Sequence, residues 1–408
     1  MARKDKKGRI FRKGEGYRQD RNSYIYQYKD ECGIKRTIYA RTLEELREKE
    51  QKLTWESMNN IRSYVAGHTT LNQAFDRYMS LKYNLKETTR ANYLYLYDHF
   101  IRSYLGKRLI RDIRYSDIKA FYFNLINQYG VKPLTIDNIQ TLLHPVFDVA
   151  VRDDVIQKNP SDGVMAEIKK SNLWDKGTRH ALTEAQERTF LEYTAKHPVY
   201  SHWWPLFTVL LGTGMRIGEC CGLRWEDIDF DKRQISVNHT LVYSRGDDGK
   251  CRARISTVKT ESGERTIPMI DAVVKAFQEE ALYQEKNGRC TAEVDGMTGF
   301  VFCNRYGNTH HQGSVNRAIK RICEEYNAEE IIRAAKAKRK PELLPHFSCP
   351  HLRHTFCTRL CERENNIKAI QSIMGHADIK TTMDIYAEAT DKIKQDAINS
   401  LKGHLDIF

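Results

Sequence analysis

Between His346 and Tyr386 the chain reads HFSCPHLRHTFCTRLCERENNIKAIQSIMGHADIKTTMDIY, a stretch that crowds Arg353, His354, a Gly375-His376 step and the lone Tyr386 together. Arginine, histidine and tyrosine without an accompanying carboxylate cluster suit metal-free attack on a phosphodiester. Guanidiniums clamp the nonbridging oxygens through paired hydrogen bonds as charge builds, and a tyrosine hydroxyl attacks phosphorus to leave a covalent ester. Ester transfer to tyrosine conserves the bond energy, so no nucleotide is needed, and no GxxxxGK[ST] loop occurs. Arg216, on the turn of GTGMR just before IGECCGL, is another phosphate candidate, because N–H groups at a helix N-terminus would back its guanidinium. Lys259, near the end of a strand in TVKTESGERTIP, has the chemistry of a general acid toward a leaving oxygen; taken alone it reads as an exposed strand lysine.

Other clusters carry less. Cys349, His351, His354, Cys357 and Cys361 raise the question of zinc, but most fall on one predicted helix and point in different directions, unlike the paired spacing of structural sites. Reduced, buried thiols are the better reading, and ten cysteines without a CxxC pair in a chain this size do not need an oxidising compartment. Glu226, Asp227, Asp229 and Asp231 are adjacent carboxylates that alternate in direction, so no metal or cofactor is expected.

The composition fits a nucleic-acid partner. With 408 residues, 40% hydrophobic and 29% charged, the chain is long enough for several domains with real cores. A net charge of +13 points to an acidic partner, since each neutralised phosphate releases counterions. No apolar run approaches the length needed to span a bilayer, and no basic amphipathic helix suggests a membrane surface. The first twenty residues carry eight Lys/Arg against three acids but no apolar run, so they are not a secretory signal and a cytoplasmic location is expected.

The elements that must position these groups follow in order. SYIYQYKD and IKRTIYA read as strands around a turn at Asp30-Gly33, and Thr42 with Glu45 caps a helix through LEELREKEQKL. After a linker near Tyr64-Gly67, residues 68 to 163 carry four or five amphipathic helices, with a kink expected at Pro145 and an end at Asn159-Pro160. Lys82, Lys86, Arg90, Lys107, Arg108, Arg111 and Arg114 would give this bundle a basic face. A polar link leads to a third unit: a capped helix at Thr183, the apolar SHWWPLFTVLLGTG, strands over QISVNHTLVY, RARISTVK and GERTIPM, then helices from Asp271. NAEEIIRAAKAKRKPELLPHF reads as a charged, mobile insertion; Thr381 with Asp384 should cap the helix that holds Tyr386. Ile393, Ala397, Ile398, Leu401 and Leu405 then line one face of a terminal helix, to rest on its own domain or a neighbouring protomer.

In chain order, GTGMRIGECCGLRWEDID, the lysine of TVKTESGERTIP, HLRHTFCT and MGHADIKTTMDIY resemble the motifs of the tyrosine recombinases of the phage-integrase superfamily, and among them the integrases of conjugative transposons. The resemblance spans nearly the whole chain. It implies a multidomain protein, mainly α with small β-sheets: an arm-type DNA-binding module of a three-stranded sheet plus a helix (1–66), a helical-bundle core-binding domain (68–163), an α+β catalytic domain (175–390) and a C-terminal helix (391–408). By matching position, Arg216 and Arg353 would form the arginine clamp and Lys259 the general acid. His376 would hydrogen-bond the phosphate, and Tyr386 would be the nucleophile of a 3′-phosphotyrosyl intermediate. Double-stranded DNA at core and arm-type sites, a homotetramer and an accessory excision protein are the implied partners. One position departs from the pattern: the histidine expected three residues before Arg353 is Pro350, and His351 falls one residue late. His351 through a shifted backbone, His346 or water would have to substitute, or catalysis is impaired. A DNA-binding protein that has lost strand transfer is therefore one alternative; a type IB topoisomerase-like relaxing enzyme is another, and the arm-binding module argues against it.

Overall fold

The structure is a computed structural model, and it describes residues 5, 8–29, 35–58, 69–83, 85–171, 174, 180–245, 250–257 and 263–389. Lys259, the turn at Asp30-Gly33, the linker near Tyr64-Gly67 and the terminal helix after residue 390 lie outside the described residues. The chain divides into two compact units, Met1–Lys176 and Gly177–Phe408. It is mainly helical with small sheets.

In the first unit, β1 (Glu15–Arg18), β2 (Ser23–Lys29) and β3 (Lys35–Ala40) form an antiparallel sheet in that order. Helix α1 (Leu43–Met58) buries Leu43 and Leu46 against Tyr24 and Ala40. The Thr42 hydroxyl accepts from the Glu45 N–H at 3.2 Å, as the sequence spacing predicts. Beyond it, α2 (Leu71–Leu81) starts on a full Thr70/Gln73 capping box, followed by α3 (Glu87–Leu96), α4 (Tyr115–Asn127), α5 (Pro133–Arg152) and α6 (Met165–Lys170). These helices close on one core in which Phe75 stacks on Tyr97 and which takes in Val164, Met165 and Ile168. Helix α5 runs on through Pro145 to Arg152. The seven lysines and arginines of the predicted basic face are all exposed.

The second unit is built around α8 (Trp204–Thr213), whose residues from Pro205 to Leu211 are all buried. Packed around it are α7 (Glu184–Lys196), the short α9 (Ile217–Gly222), α10 (Asp271–Asn287), α11 (Gln312–Lys336), α12 (Cys349–Arg363) and α13 (Ile367–Met374). A last described helix, α14, covers residues 379–389. Strands β4 (Ile228–Asp229), β5 (Gln234–Val237) and β8 (Arg265–Pro268) form one antiparallel sheet in the order β4-β5-β8; β6 (His239–Arg245) and β7 (Cys251–Thr257) pair separately as a hairpin. The apolar run predicted as one strand over 234–243 is thus two strands that change partner at Asn238.

Two further local expectations are corrected. The segment from Asn327 is no mobile insertion: its first ten residues complete α11, with Glu330 and Ala334 buried. The rest folds back on the same helix, where Asn327 exchanges hydrogen bonds with Leu344 at 2.8 and 2.9 Å and Arg339 pairs with Glu330. Helix α14 starts before Thr381, and Asp378 caps it through a 2.9 Å hydrogen bond from the Lys380 N–H.

Candidate active site

Two glycines in the left-handed region shape the site. Gly214 (φ 63°) ends α8, and a Cβ there would lie 2.3 Å from the Phe356 ring on α12 and 3.1 Å from the Met374 sulfur on α13. Three helices therefore meet where only glycine fits. Gly375 (φ 61°) ends α13 in the same way and turns the chain into His376.

Arg216 is the N-cap residue of α9, and Glu219 sits at N3. The Glu219 carboxylate accepts from the Arg216 backbone N–H and from its guanidinium, both at 2.8 Å. Glu219 is buried yet doubly countered, because Arg265 on β8 also donates to both of its oxygens, at 2.8 and 3.2 Å. Burial pushes the Glu219 carboxyl up, but the Arg265 hydrogen bonds and charge, joined by Arg216, bring it net below the ordinary carboxylate range.

Arg353, on the second turn of α12, donates to the Gly214 carbonyl at 2.6 Å and to the Met374 carbonyl. Arg216 donates to the Gly375 carbonyl at 2.8 Å, and Arg265 to the Ile373 carbonyl at 2.8 Å. Three successive carbonyls at the C-terminal end of α13 thus each take a different arginine. These are groups that a helix end leaves without partners, and they carry the negative end of its dipole. Three guanidiniums against one carboxylate leave a formal charge of about +2, suited to an anion that gains charge as it reacts. Burial, then the neighbouring Arg216 charge, push the Arg353 guanidinium down to about 9, so it stays a cation at neutral pH.

His376 follows directly, buried, with Nδ1 3.0 Å from the Thr382 hydroxyl on α14. Burial first, then Arg353, Arg216 and Arg265, push it down to about 4. At neutral pH it is a neutral imidazole with one N–H to give.

Tyr386 stands on α14, half-buried against Cys357, Cys361, Ile370, Met374 and Ala389. Its hydroxyl reaches Asn365, between α12 and α13, at 3.5 Å. Two residues on, Glu388 faces His354 at 3.6 Å and His180 at 3.7 Å. Pro350 occupies the first turn of α12, where its missing N–H costs nothing. His351 is at N3 of that helix, and its Nδ1 lies 3.3 Å from the Ser348 N–H and 3.1 Å from the Ser348 hydroxyl. His346 lines a cavity with Lys320, Cys323 and Asn327 of α11. Cys349 packs in the main core, whereas Cys357 and Cys361 belong to the Tyr386 cluster, so the three cysteines weighed as zinc ligands are split between two surroundings.

Of the residues singled out by sequence, Arg216, Arg353 and His376 come together; Tyr386 lies on the adjoining helix, and His351 caps α12. Glu219, Arg265 and Thr382 escaped the sequence reading. A signal existed for two of them. Glu219 is three residues after a cap, and Arg265 shares the inward face of β8 with the buried Ile267.

Residues 180–392 match the phage integrase family, and residues 1–57 match the DNA binding domain of Tn916 integrase. The chain is 32% identical over 401 residues to the transposase from transposon Tn1545 of Streptococcus agalactiae, covering 95% of this chain and 94% of the relative. The transposase from transposon Tn916 of Enterococcus faecalis gives the same identity and coverage. Among solved structures, the Tn1549 transposon integrase in complex with transposon right end DNA is 31% identical with a TM-score of 0.69, covering 82% of this chain and 100% of that one. The same integrase with a circular intermediate DNA gives 30% and 0.68, over 80% and 99%. A lambda integrase dimer, 18% identical with a TM-score of 0.50, shares the fold. This chain belongs to the phage integrase family, as a tyrosine recombinase of the conjugative-transposon type.

Proposed function

We propose that this protein is a site-specific DNA recombinase that cuts and rejoins double-stranded DNA to integrate and excise a mobile element. The observation that carries the reading is the set of cations around the end of α13: Arg216 and Arg353 held by backbone carbonyls, with the neutral His376 beside them.

The Tyr386 oxygen attacks the scissile phosphorus and the bond to the 5′ oxygen breaks, leaving a 3′-phosphotyrosyl ester and a 5′ hydroxyl. Arg216 and Arg353 keep their carbonyl anchors and turn their remaining N–H groups to the nonbridging oxygens, and His376 donates its N–H to the phosphate. The Lys259 ammonium gives its proton to the leaving oxygen. The tyrosine proton goes to His351 or to water, since Pro350 offers no base. Exchange between two duplexes breaks four strands. With one nucleophilic tyrosine per chain, four protomers are needed, and a homotetramer on DNA is the working assembly. The match over residues 1–57 supports the N-terminal sheet as the arm-site reader, with residues 68–163 and 175–390 gripping the core site. An accessory protein completes excision, in the cytoplasm. No helix among the described residues is long and apolar enough to cross a membrane.

A second reading, a DNA-binding protein with impaired catalysis, rests on Pro350 and on the engagement of His351 in the α12 cap.

A duplex nicked just beyond the scissile phosphate, which loses its short 5′ product, tests the first reading. The wild-type protein is expected to trap a covalent adduct and Tyr386→Phe none, with DNA binding equal in both. A wild-type protein that retards this duplex without forming an adduct contradicts it.

A further inference from the structure

We infer that Arg265 is a positioning residue that sets the Arg216 guanidinium by locking Glu219 to the C-terminal turn of α13. This rests on the proposed strand cleavage.

Arg265 cannot be a phosphate ligand in this geometry. Its side chain is 4% exposed, whereas that of Arg216 is 45% exposed. Its donors are already committed: Nε to the Ile373 carbonyl at 2.8 Å, one terminal nitrogen to Glu219 at 2.8 Å, and the other to Glu219 and the Gly263 carbonyl at 3.2 Å each. The planar fork bridges two elements that also hold Arg216, since the same Glu219 carboxylate takes the Arg216 guanidinium and the Gly375 carbonyl takes its other end. Arg265 itself lies against Gly375, where a Cβ would come within 3.0 Å of its side-chain atoms. Removing the fork therefore releases both anchors of Arg216 and the turn that carries His376. A lysine keeps the charge but reaches only one of the two partners.

The test is the rate of adduct formation on the nicked duplex at saturating DNA, alongside DNA affinity, for the full-length protein. Arg265→Lys is expected to slow adduct formation roughly 10- to 100-fold, the scale of a misplaced catalytic group, with affinity unchanged within about 3-fold. Because Arg265 acts through Arg216, the double variant Arg216→Lys/Arg265→Lys should be no slower than Arg216→Lys alone. A residue that only stabilises the fold would instead multiply the two losses. Should Arg265→Lys not fold, Glu219→Gln/Arg265→Met removes both buried charges together and carries the same expectation. A wild-type rate in the folded variant, or multiplying losses, overturns the inference while leaving the recombinase reading intact. If the wild-type protein forms no adduct at all, that reading falls and this inference with it.

Discussion

The two halves of the candidate site are held very differently. On the arginine side, Glu219, Arg265 and Arg353 are buried or nearly so and joined by hydrogen bonds of 2.6–3.2 Å to fixed backbone and to each other. On the tyrosine side, α14 docks through the apolar cluster that holds Tyr386 and Ala389 and through the 3.0 Å Thr382–His376 contact, while the Tyr386 hydroxyl lies 3.5 Å from Asn365 and Glu388 lies 3.6 and 3.7 Å from His354 and His180. Charge stabilisation works best when dipoles are fixed before the reaction. A nucleophile needs only to arrive. The fold fixes the anion-binding groups with short buried hydrogen bonds and docks the attacking group mainly through apolar packing.

The sharpest way to break this contrast is to loosen the arginine side. Arg353→Lys loses the paired reach to Gly214 and Met374 and should lower adduct formation on the order of 10²- to 10³-fold at saturating DNA, read by single-turnover kinetics. Acid should act on the same side. His376 titrates at about 4 when folded against about 6.5 when unfolded, so the unfolded chain binds more protons between these values. Stability from this group is complete above about pH 6.5 and is lost as pH falls toward 4. Urea unfolding should therefore weaken by on the order of 1–3 kcal/mol across that window, and less in His376→Asn. An unchanged slope in that variant would assign the loss to other groups, such as His310, which burial also pushes down to about 4.

Pro350→His asks whether the missing base limits the tyrosine side, and about a 10-fold gain in adduct formation is expected. No gain, combined with a large loss in His351→Ala, would give His351 the role despite its place in the α12 cap. The smallest effect should come from Glu388→Gln, a half-exposed carboxylate whose contacts to His354 and His180 are long; a change of no more than roughly 3-fold in rate is expected. A large loss there would mean that α14 must stay docked for the reaction.

The sequence motifs point to the ends of this candidate site only together and in chain order, since each is modest alone: an arginine after a glycine turn, Arg353 early in a helix, and His376 after a helix-stopping glycine. The cradle was hidden. Its acceptors are the carbonyls of Ile373, Met374 and Gly375, which every residue possesses, so only backbone geometry reveals them. Arg265 reads as solvated because a charged residue in a short strand normally is, and its pairing with Glu219 explains its burial. The partner change at Asn238 was invisible because Ile235, Val237, His239 and Leu241 keep one unbroken inward alternation across it. The tail of α11 misled by its charge: Glu330 is buried there through pairing with Arg339 nine residues on, a contact that composition cannot show.

Peptide mapping of the trapped adduct tests the central claim most directly. Protease digestion of wild-type protein after reaction on the nicked duplex is expected to leave the DNA 3′ phosphate on the peptide containing Tyr386, with a free 5′ hydroxyl on the other side of the cut. DNA attached to any other residue, or no attachment by a protein that binds the site, would contradict it.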